Sequence, residues 1–396
     1  MDDFQVLVKI AGGACNLRCR YCYYLPQARP GEAGMPDDLV ELYVRQHIEA
    51  SRDPVVAFAW HGGEPTLYGL GRFRKIAALQ ESLCPPGRRV VNGIQTNGLL
   101  LDEEWCRFLA HGNDGRGAVQ FVVGLSLDGP EEMHDRHRVT AGGEPTFRRV
   151  MESFARLRRH GVPTECLCVV HSDNAVRPLD VYGFFRSLGA PHLTFLPLVE
   201  RMPDGRVGGR SVSSADWGAF LCATFDEWQT GDIGRIQVQL FEETARTAFG
   251  QEHSLCILRH ACGGVPALDC NGDLYCCDHF MTPGHLLGNI REATLKDMLA
   301  SPKLRDFGEA KWRLLPARCR RCPVLGMCGG GCPKDRILAG GGAGASADSG
   351  EADGGTADGG GDPAREPRLN FLCEGYKRFF LHAQPFVRML AALRQQ

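Results

Sequence analysis

The stretch that decides the fold is FQVLVKIAGGACNLRCRYCYY, at residues 4–24. It joins a short apolar run to three cysteines, Cys15, Cys19 and Cys22, in a C-x3-C-x2-C pattern. Three thiolates on one loop can hold three corners of an iron–sulfur cube. A reactive metal keeps a position open for substrate or cofactor, whereas a structural site is normally closed. The spacing also permits a zinc site completed from elsewhere, for example by His61.

The overall composition excludes several classes of protein. The chain has 396 residues, 18 cysteines and a net charge of −2. Nucleic-acid and membrane-surface proteins need a concentrated basic field, so we expect neither partner. The apolar runs are too short to cross a bilayer, and no basic segment followed by an apolar one opens the sequence. We therefore expect a cytoplasmic protein whose cysteines are reduced and bind metal.

The first half of the chain alternates short apolar runs with amphipathic helical patterns. Nearly continuous apolarity is typical of strands in a parallel sheet that is covered on both faces. This alternation predicts an α/β fold with a parallel sheet, open or curled into a partial barrel. The predicted strands are 4–10, 55–60, 90–95, 119–127, 164–170 and 193–198. The predicted helices are 37–52, 71–83, 102–111, 146–159 and 180–188.

The C-terminal third has a different character. It is rich in Cys, Gly and Pro between 256 and 332, with an Asn-Gly hairpin turn at 271–272. Residues 340–362 lack aromatic and branched apolar side chains, so we predict a disordered insertion there. The segment 370–393 predicts a closing helix. We expect a core domain at 1–235 and a Cys-rich domain at 236–396.

The motifs at the ends of the predicted strands resemble those of radical S-adenosylmethionine (SAM) enzymes. Besides C-x3-C-x2-C-Tyr, they are Gly-Gly-Glu-Pro at 62–65, Gln-Thr-Asn-Gly at 95–98, and Ser-Leu-Asp-Gly at 126–129. The resemblance implies a partial (β/α)6 radical SAM barrel whose 4Fe–4S cluster, held by the first three cysteines, binds SAM. The residues implied to contact SAM are Tyr21, Gly62, Gly63, Glu64, Ser126, Arg138 and Val199.

The later cysteines resemble a SPASM domain, which carries two auxiliary 4Fe–4S clusters. By this resemblance the first auxiliary cluster has the ligands Cys256, Cys262, Cys277 and Cys332. The second has the ligands Cys319, Cys322, Cys328 and Cys373. The C-x2-C-x5-C-x3-C spacing at 319–332 is also compatible with a zinc ribbon. Cys276 directly precedes Cys277, and the spacing together with the following Asp278 favours Cys277 as the ligand.

Further segments make the chain similar to anaerobic sulfatase-maturating enzymes. They include Trp-His-Gly-Gly-Glu-Pro at 60–65, where the family often has Gln in place of His61, and Tyr-Cys-Cys-Asp-His-Phe at 275–280. The resemblance implies oxidation of a Cys or Ser of a sulfatase to Cα-formylglycine, with Asp278 as the base. It also implies an unfolded or nascent sulfatase as substrate and a reductant such as flavodoxin or ferredoxin.

Two other functions remain open on the sequence. One is a SPASM maturase that crosslinks a ribosomally made peptide, and the other is a non-catalytic iron–sulfur redox protein. The Asp278 segment favours dehydrogenation over crosslinking, because dehydrogenation needs a base. The intact Gly-Gly-Glu-Pro, Ser126 and Arg138 favour an enzyme, because a redox scaffold has no need of SAM.

Overall fold

The structure is a computed structural model that describes residues 4–25, 34–113, 117–338 and 368–394. The predicted disordered insertion at 340–362 lies outside the described residues. The chain divides into two compact units. The first unit comprises the described parts of Met1–Leu127, His134–Cys166 and Gly263–Asp306. The second comprises those of Asp128–Met133, Leu167–Cys262 and Phe307–Gln396.

Strands and helices alternate through the first half of the chain, as the pattern predicts. The strands are β1 Leu7–Lys9, β2 Val55–His61, β3 Arg89–Thr96, β4 Val119–Ser126, β5 Thr164–Val170, β6 His192–Pro197, β7 Gln237–Val238, β8 Ala267–Leu268, β9 Asp273–Tyr275, β10 Leu286–Asn289, β11 Arg336–Leu338 and β12 Leu369–Asn370. The helices are α1 Asp37–Ala50, α2 Leu70–Leu83, α3 Glu103–Ala110, α4 Glu131–His137, α5 Phe147–Arg159, α6 Pro178–Leu188, α7 Ser214–Gly231, α8 Gln239–Arg246, α9 Leu295–Leu299, α10 Pro302–Arg313, α11 Ala317–Arg320, α12 Leu325–Cys328 and α13 Cys373–Leu393.

The main sheet is mixed and has the strand order β10-β9-β8-β1-β2-β3-β4-β5-β6-β7. The six predicted strands occupy β1 to β6 in sequence order, and β1 to β4 pair in parallel. Parallel strands in sequence order bring the loops after their carboxyl ends to one edge, where α/β enzymes place their sites. The predicted α/β fold is therefore confirmed.

The cysteine-rich segment contributes to both units. The predicted hairpin is present as the antiparallel pair β8 and β9, and Gly272 in its turn has a φ of 93°. β8 in turn pairs in parallel with β1, so Gly263–Asp306 packs within the first unit. The units therefore interleave along the chain. The expected boundary between a core domain at 1–235 and a Cys-rich domain at 236–396 stays a prediction.

The second unit is built around an aromatic core. Trp228 and Phe241 are 2% and 0% exposed. Their rings contact Phe386 or Phe379 on α13, which confirms the closing helix. α13 packs on α7 at the paired Gly218 and Gly375, where a Cβ on Gly218 would lie 2.8 Å from the Gly375 Cα. This close approach fixes the start of α13, at Cys373, within the unit.

In the described parts of the chain, no helix is long and apolar enough to cross a membrane.

Candidate active site

The three-cysteine loop follows β1 in the first unit. Cys15, Cys19 and Cys22 are all partly buried free thiols. The backbone N–H of Leu17 donates to the Cys15 Sγ at 3.4 Å, and the N–H of Cys22 donates to the Cys19 carbonyl at 3.1 Å. The loop is thus a series of tight turns, and its three thiols remain partly exposed to solvent. This donor set suits a cluster with one iron open to an outside ligand.

The Gly-Gly-Glu-Pro segment after β2 is bonded directly to this loop. The N–H of Gly63 donates to the Gly12 carbonyl at 2.9 Å, and the N–H of Glu64 donates to the Ala14 carbonyl at 2.8 Å. A Cβ on Gly63 would lie 2.1 Å from that same Ala14 oxygen. Only glycine therefore permits the two loops to approach this closely.

The Glu64 carboxylate joins three loops of the first unit. It is 1% exposed and accepts hydrogen bonds from the Thr66 N–H and hydroxyl, the Thr96 hydroxyl and the Asn97 N–H. Burial raises the pKa of Glu64, and the hydrogen bond from Asn97 opposes that rise. Asn97 in turn donates from its side-chain amide to the Asn16 oxygen at 2.7 Å, within the cysteine loop. Because these partners occupy the carboxylate, contact with SAM here would fall to the backbone, as the family resemblance implies.

The other residues predicted to contact SAM lie at the ends of β4 and β6, after α4 and in the cysteine loop. The Ser126 hydroxyl, at the end of β4, accepts a hydrogen bond from the Gln95 side chain at 3.1 Å. The Arg138 guanidinium lies over the Tyr21 ring at 5.5 Å, so it is tied to the residue that precedes Cys22. Val199 follows β6 in the second unit. The contacts of these residues with SAM stay predictions.

Asp278 lies beside the cysteine loop in the first unit. The Tyr23 hydroxyl donates to the Asp278 Oδ2 at 2.8 Å, and Tyr23 directly follows Cys22. The Lys9 Nζ, at the end of β1, lies 3.6 Å from the same oxygen. Lys9 is fully buried and Asp278 is 7% exposed. A buried ion pair thus holds the carboxylate that the resemblance assigns as the base.

The electrostatics of this cluster favour an ionised Asp278. Burial opposes the charged form, but His279 and Lys9 outweigh it and place the pKa of Asp278 well below its usual range. Burial, with Lys9 adding to it, lowers the pKa of His61 to about 3. His61 is therefore neutral at neutral pH, and its Nδ1 accepts from the Lys9 Nζ at 3.3 Å. Lys9, together with His279, therefore supports the Asp278 charge, and the neutral His61 does not.

Lys9 and Tyr23 are site residues that the sequence reasoning did not assign. A lysine inside an apolar strand run was a signal for Lys9, because a buried charge needs a partner. No local signal pairs Tyr23 with Asp278, since 255 positions separate them. Asn97 lay within a recognised motif, but its bond to Asn16 depends on how two distant loops pack.

Four of the predicted auxiliary ligands share one cavity in the second unit. Cys319, Cys322, Cys328 and Cys373 line a cavity of about 240 Å³. Cys319 and Cys322 belong to one turn, in which the Cys322 N–H donates to the Cys319 carbonyl at 2.9 Å. Cys373 begins α13, so a residue far along the chain completes the set. Four convergent thiols are the ligand set of a closed cluster.

The other predicted auxiliary ligands are divided between the units. Cys256, Cys262 and Cys332 belong to the second unit, whereas Cys277 belongs to the first. Cys277 is partly buried, and its Sγ lies 3.6 Å from the Asp278 Oδ1. The neighbouring Cys276 is 1% exposed and packs in the core. This difference favours Cys277 over Cys276 as a ligand.

A buried polar group also fits a cluster in the second unit. The Arg336 Nη2 is buried, and no described residue accepts a hydrogen bond from it. The guanidinium interacts electrostatically with Cys262, Cys319, Cys332 and Cys328. A buried donor without an acceptor is costly unless a group such as a cluster sulfur receives it.

Comparisons with known families agree with this architecture. Residues 10–177 match the Radical SAM superfamily, and residues 262–323 match SPASM, described as an iron–sulfur cluster-binding domain. The fold and the cysteine sites therefore define a radical SAM enzyme with a SPASM domain. Its cofactors are SAM, a 4Fe–4S cluster and auxiliary iron–sulfur clusters. The zinc alternatives for both cysteine regions are not supported.

Full-length relatives narrow the family. A serine-type anaerobic sulfatase-maturating enzyme of Bacteroides thetaiotaomicron is 37% identical over 96% of this chain and 90% of the relative. A cysteine-type enzyme of Clostridium perfringens is 30% identical over 97% of both chains. The solved structure of native anSMEcpe with bound AdoMet and Kp18Cys peptide has a TM-score of 0.82 and 29% identity, covering 98% of this chain and 99% of that one. The chain belongs to the anaerobic sulfatase-maturating enzymes, a family of oxidoreductases.

Proposed function

We propose that this enzyme oxidises a Cys or Ser residue of a sulfatase polypeptide to Cα-formylglycine without oxygen. The observation that carries the proposal is the Asp278 carboxylate, which Tyr23 holds at 2.8 Å directly beside the cysteine loop. Dehydrogenation needs a base next to the radical source, and the first unit supplies both. Serine-type and cysteine-type relatives both match, which supports a Ser or Cys target.

The cysteines take the ligand roles that the family resemblance implies. Cys15, Cys19 and Cys22 would hold the cluster that binds SAM, with the SAM contacts at Tyr21, Gly62, Gly63, Glu64, Ser126, Arg138 and Val199. The auxiliary ligands would be Cys256, Cys262, Cys277 and Cys332 for one cluster and Cys319, Cys322, Cys328 and Cys373 for the other. The cavity lined by the last four thiols supports the second set.

The protein's own part in the reaction centres on one proton. When bound, SAM with its cluster supplies the chemistry that removes a hydrogen atom from the target Cβ, and the auxiliary clusters supply an electron acceptor. Asp278 takes the hydroxyl or thiol proton as the C=O or C=S bond forms. Tyr23 and Lys9 fix the carboxylate and favour its ionised form. A Ser target gives the aldehyde directly, whereas the thioaldehyde from Cys must be hydrolysed.

The substrate and the redox partner follow from this chemistry. The target residue must reach a partly buried site, so an unfolded or nascent sulfatase is the proposed substrate. A reductant such as flavodoxin or ferredoxin would deliver the electron that starts turnover. Clusters held by reduced thiols are best maintained in a reducing compartment, which supports the cytoplasm as the location.

Anaerobic turnover tests the proposal. The reconstituted enzyme is incubated with SAM, dithionite and a peptide that contains Ser-x-Pro-x-Arg or Cys-x-Pro-x-Arg, and the products are measured by mass spectrometry. We expect 5′-deoxyadenosine together with a Ser peptide that has lost two hydrogens, or a Cys peptide that has also exchanged sulfur for oxygen. A crosslinked peptide would instead support a peptide maturase. Absence of 5′-deoxyadenosine would exclude radical chemistry.

A further inference from the structure

A buried lysine lies against the cysteines of the second unit. Lys311, on α10, is 1% exposed. Its Nζ donates to the carbonyl oxygens of Cys256 at 2.9 Å, Ile257 at 2.9 Å and Arg259 at 2.5 Å. All three donor hydrogens of the ammonium group are therefore used by one loop. The loop is the one that carries Cys256 and leads to Cys262.

The helix that carries Lys311 is also fixed to this loop by its backbone. The N–H of Cys262 donates to the Gly308 carbonyl on α10 at 3.1 Å. A Cβ on Gly308 would lie 2.7 Å from the Cys262 carbonyl oxygen, so α10 touches the loop through a residue without a side chain. The position of the Lys311 charge relative to Cys256 and Cys262 is thus set by two independent contacts.

A second, partly buried cation, Arg336, lies next to the first. The Arg336 Nη1 donates to the Lys311 carbonyl at 2.6 Å, and its Nε donates to the Gly330 carbonyl at 3.4 Å. The Nη2 is the buried group that has no acceptor among the described residues. We call Lys311 and Arg336 the cationic pair.

The cationic pair has no carboxylate partner in the described parts of the chain. Lys311 and Arg336 each donate hydrogen bonds to backbone carbonyl oxygens, which carry no net charge. Burial lowers the pKa of Lys311, and the thiolates of Cys262, Cys332 and Cys256 oppose that shift. A buried ammonium group beside a partly buried guanidinium, neither with a carboxylate partner among the described residues, is expensive, so a negative group must offset them. Thiolate-ligated iron–sulfur clusters are negative groups of this kind.

We propose that the cationic pair raises the reduction potentials of the auxiliary clusters, and that the Arg336 Nη2 donates a hydrogen bond to a cluster sulfur. The proposal rests on the ligand sets given under the proposed function. Reduction adds a negative charge to a cluster, so a nearby fixed cation stabilises the reduced form more than the oxidised form. Hydrogen bonds to cluster sulfurs act in the same direction.

Higher reduction potentials of the auxiliary clusters would assist the second half of the oxidation, in which an electron leaves the substrate. After the target Cβ has lost a hydrogen atom and Asp278 has taken a proton, one electron must leave the substrate to complete the double bond. The auxiliary-cluster cysteines would hold the acceptor of this electron, an oxidised cluster that would be reduced by one electron, so charge and electrons balance. A higher potential makes the cluster a better acceptor. The cationic pair is thus a positioning and tuning device that touches no substrate.

The test measures cluster potentials without peptide or turnover. Lys311→Gln and Arg336→Gln remove one charge each and keep a hydrogen-bond donor. Arg313→Gln removes one charge from an exposed position on the same helix and serves as the control. In titrations followed by electron paramagnetic resonance, we expect each Gln variant to show about a tenfold lower ratio of reduced to oxidised auxiliary cluster at a fixed potential. For a one-electron couple this corresponds to about 59 mV.

The outcomes separate this inference from the proposed function. Gln variants with full iron content and unchanged potentials would overturn the inference, while wild-type iron too low for three clusters would overturn the ligand sets. If the Gln variants lose iron, pulsed electron paramagnetic resonance on the wild-type protein tests the proposed Arg336 contact instead. Protein labelled with [15N]arginine should show a 15N coupling to a reduced auxiliary cluster that Arg336→Lys abolishes. A wild-type spectrum without that coupling would overturn the proposed contact.

Discussion

The two cysteine regions differ in the number of thiols and in the charges that surround them. The loop of the first unit offers three thiols, beside a buried carboxylate, Glu64, that ties the neighbouring loops together. The cavity of the second unit offers four thiols and lies near the buried Lys311 and the partly buried Arg336. Three thiols leave an iron for SAM, whereas four thiols close a cluster and suit it to electron transfer.

The number of thiols and the nearby charges differ in the same direction: the first unit suits radical formation and proton transfer, and the second suits electron transfer. In the first unit a buried carboxylate, Asp278, lies beside the cysteine loop, where Tyr23 and Lys9 hold it in a position suited to accept a proton. In the second unit the cations Lys311 and Arg336 lie near cysteines, which suits a cluster there to accept an electron. Variants that exchange or remove these features should separate radical formation from product formation.

The largest effect is expected from Cys15→Ala. This variant removes one of the three thiols proposed to hold the SAM cluster, so 5′-deoxyadenosine formation should fall to background. Chromatography of reactions with SAM and dithionite measures it. Cys84→Ala, which changes a cysteine outside the predicted ligand sets, is the control and should keep wild-type activity. Wild-type formation of 5′-deoxyadenosine by Cys15→Ala would contradict the open-cluster assignment.

The matching change in the second unit is Cys322→Ala. It should remove the iron of one auxiliary cluster and abolish formylglycine, yet 5′-deoxyadenosine should still form because the loop of the first unit is untouched. Iron analysis and peptide mass spectrometry measure the two effects. Equal loss of both activities would show that the two regions do not divide the work as described.

A smaller but selective effect is expected from Asp278→Asn. Asn is close in size and can still accept a hydrogen bond from Tyr23, but it cannot take the substrate proton. Product formation should fall about 10²- to 10⁴-fold, the usual contribution of a general base, with iron content and SAM cleavage retained. Asp306→Asn, at an exposed position, is the control. Unchanged product formation would remove Asp278 from the mechanism.

The smallest effect tests the loop packing around the first cluster. In Gly63→Ala the new Cβ would lie 2.1 Å from the Ala14 oxygen, so the cysteine loop must shift. We expect about tenfold weaker SAM binding, measured by equilibrium dialysis. Gly71→Ala on α2 meets no atom within 4 Å and should leave binding unchanged while stabilising the helix by up to about 1 kcal/mol. Equal behaviour of the two variants would contradict the close approach.

Much of the fold could be predicted from the sequence, because apolar runs and helix patterns are local signals. The six core strands and the hairpin at Gly272 follow from such signals. The run at 4–10 shortens to Leu7–Lys9, since only those residues pair with β2. The helix Glu131–His137 was not predicted, because its charged sequence shows no apolar stripe.

The parts of the site that escaped prediction depend on contacts between distant residues. The motifs indicated Asp278 and the cysteines, but not that Tyr23 and Lys9 hold the carboxylate. Lys311 is an ordinary charged residue in the sequence, and only packing of α10 on the loop at Cys256 reveals its burial. Such features are set by tertiary packing, which no local pattern encodes.

The most direct test of the central claim uses a sulfatase peptide whose target Ser carries deuterium at Cβ. Anaerobic turnover is followed by mass spectrometry of both the peptide and the 5′-deoxyadenosine. The account predicts one deuterium in the 5′-deoxyadenosine and an aldehyde in the peptide, both of which require Cβ hydrogen removal by SAM chemistry. Formation of 5′-deoxyadenosine without deuterium, beside an unchanged peptide, would contradict it.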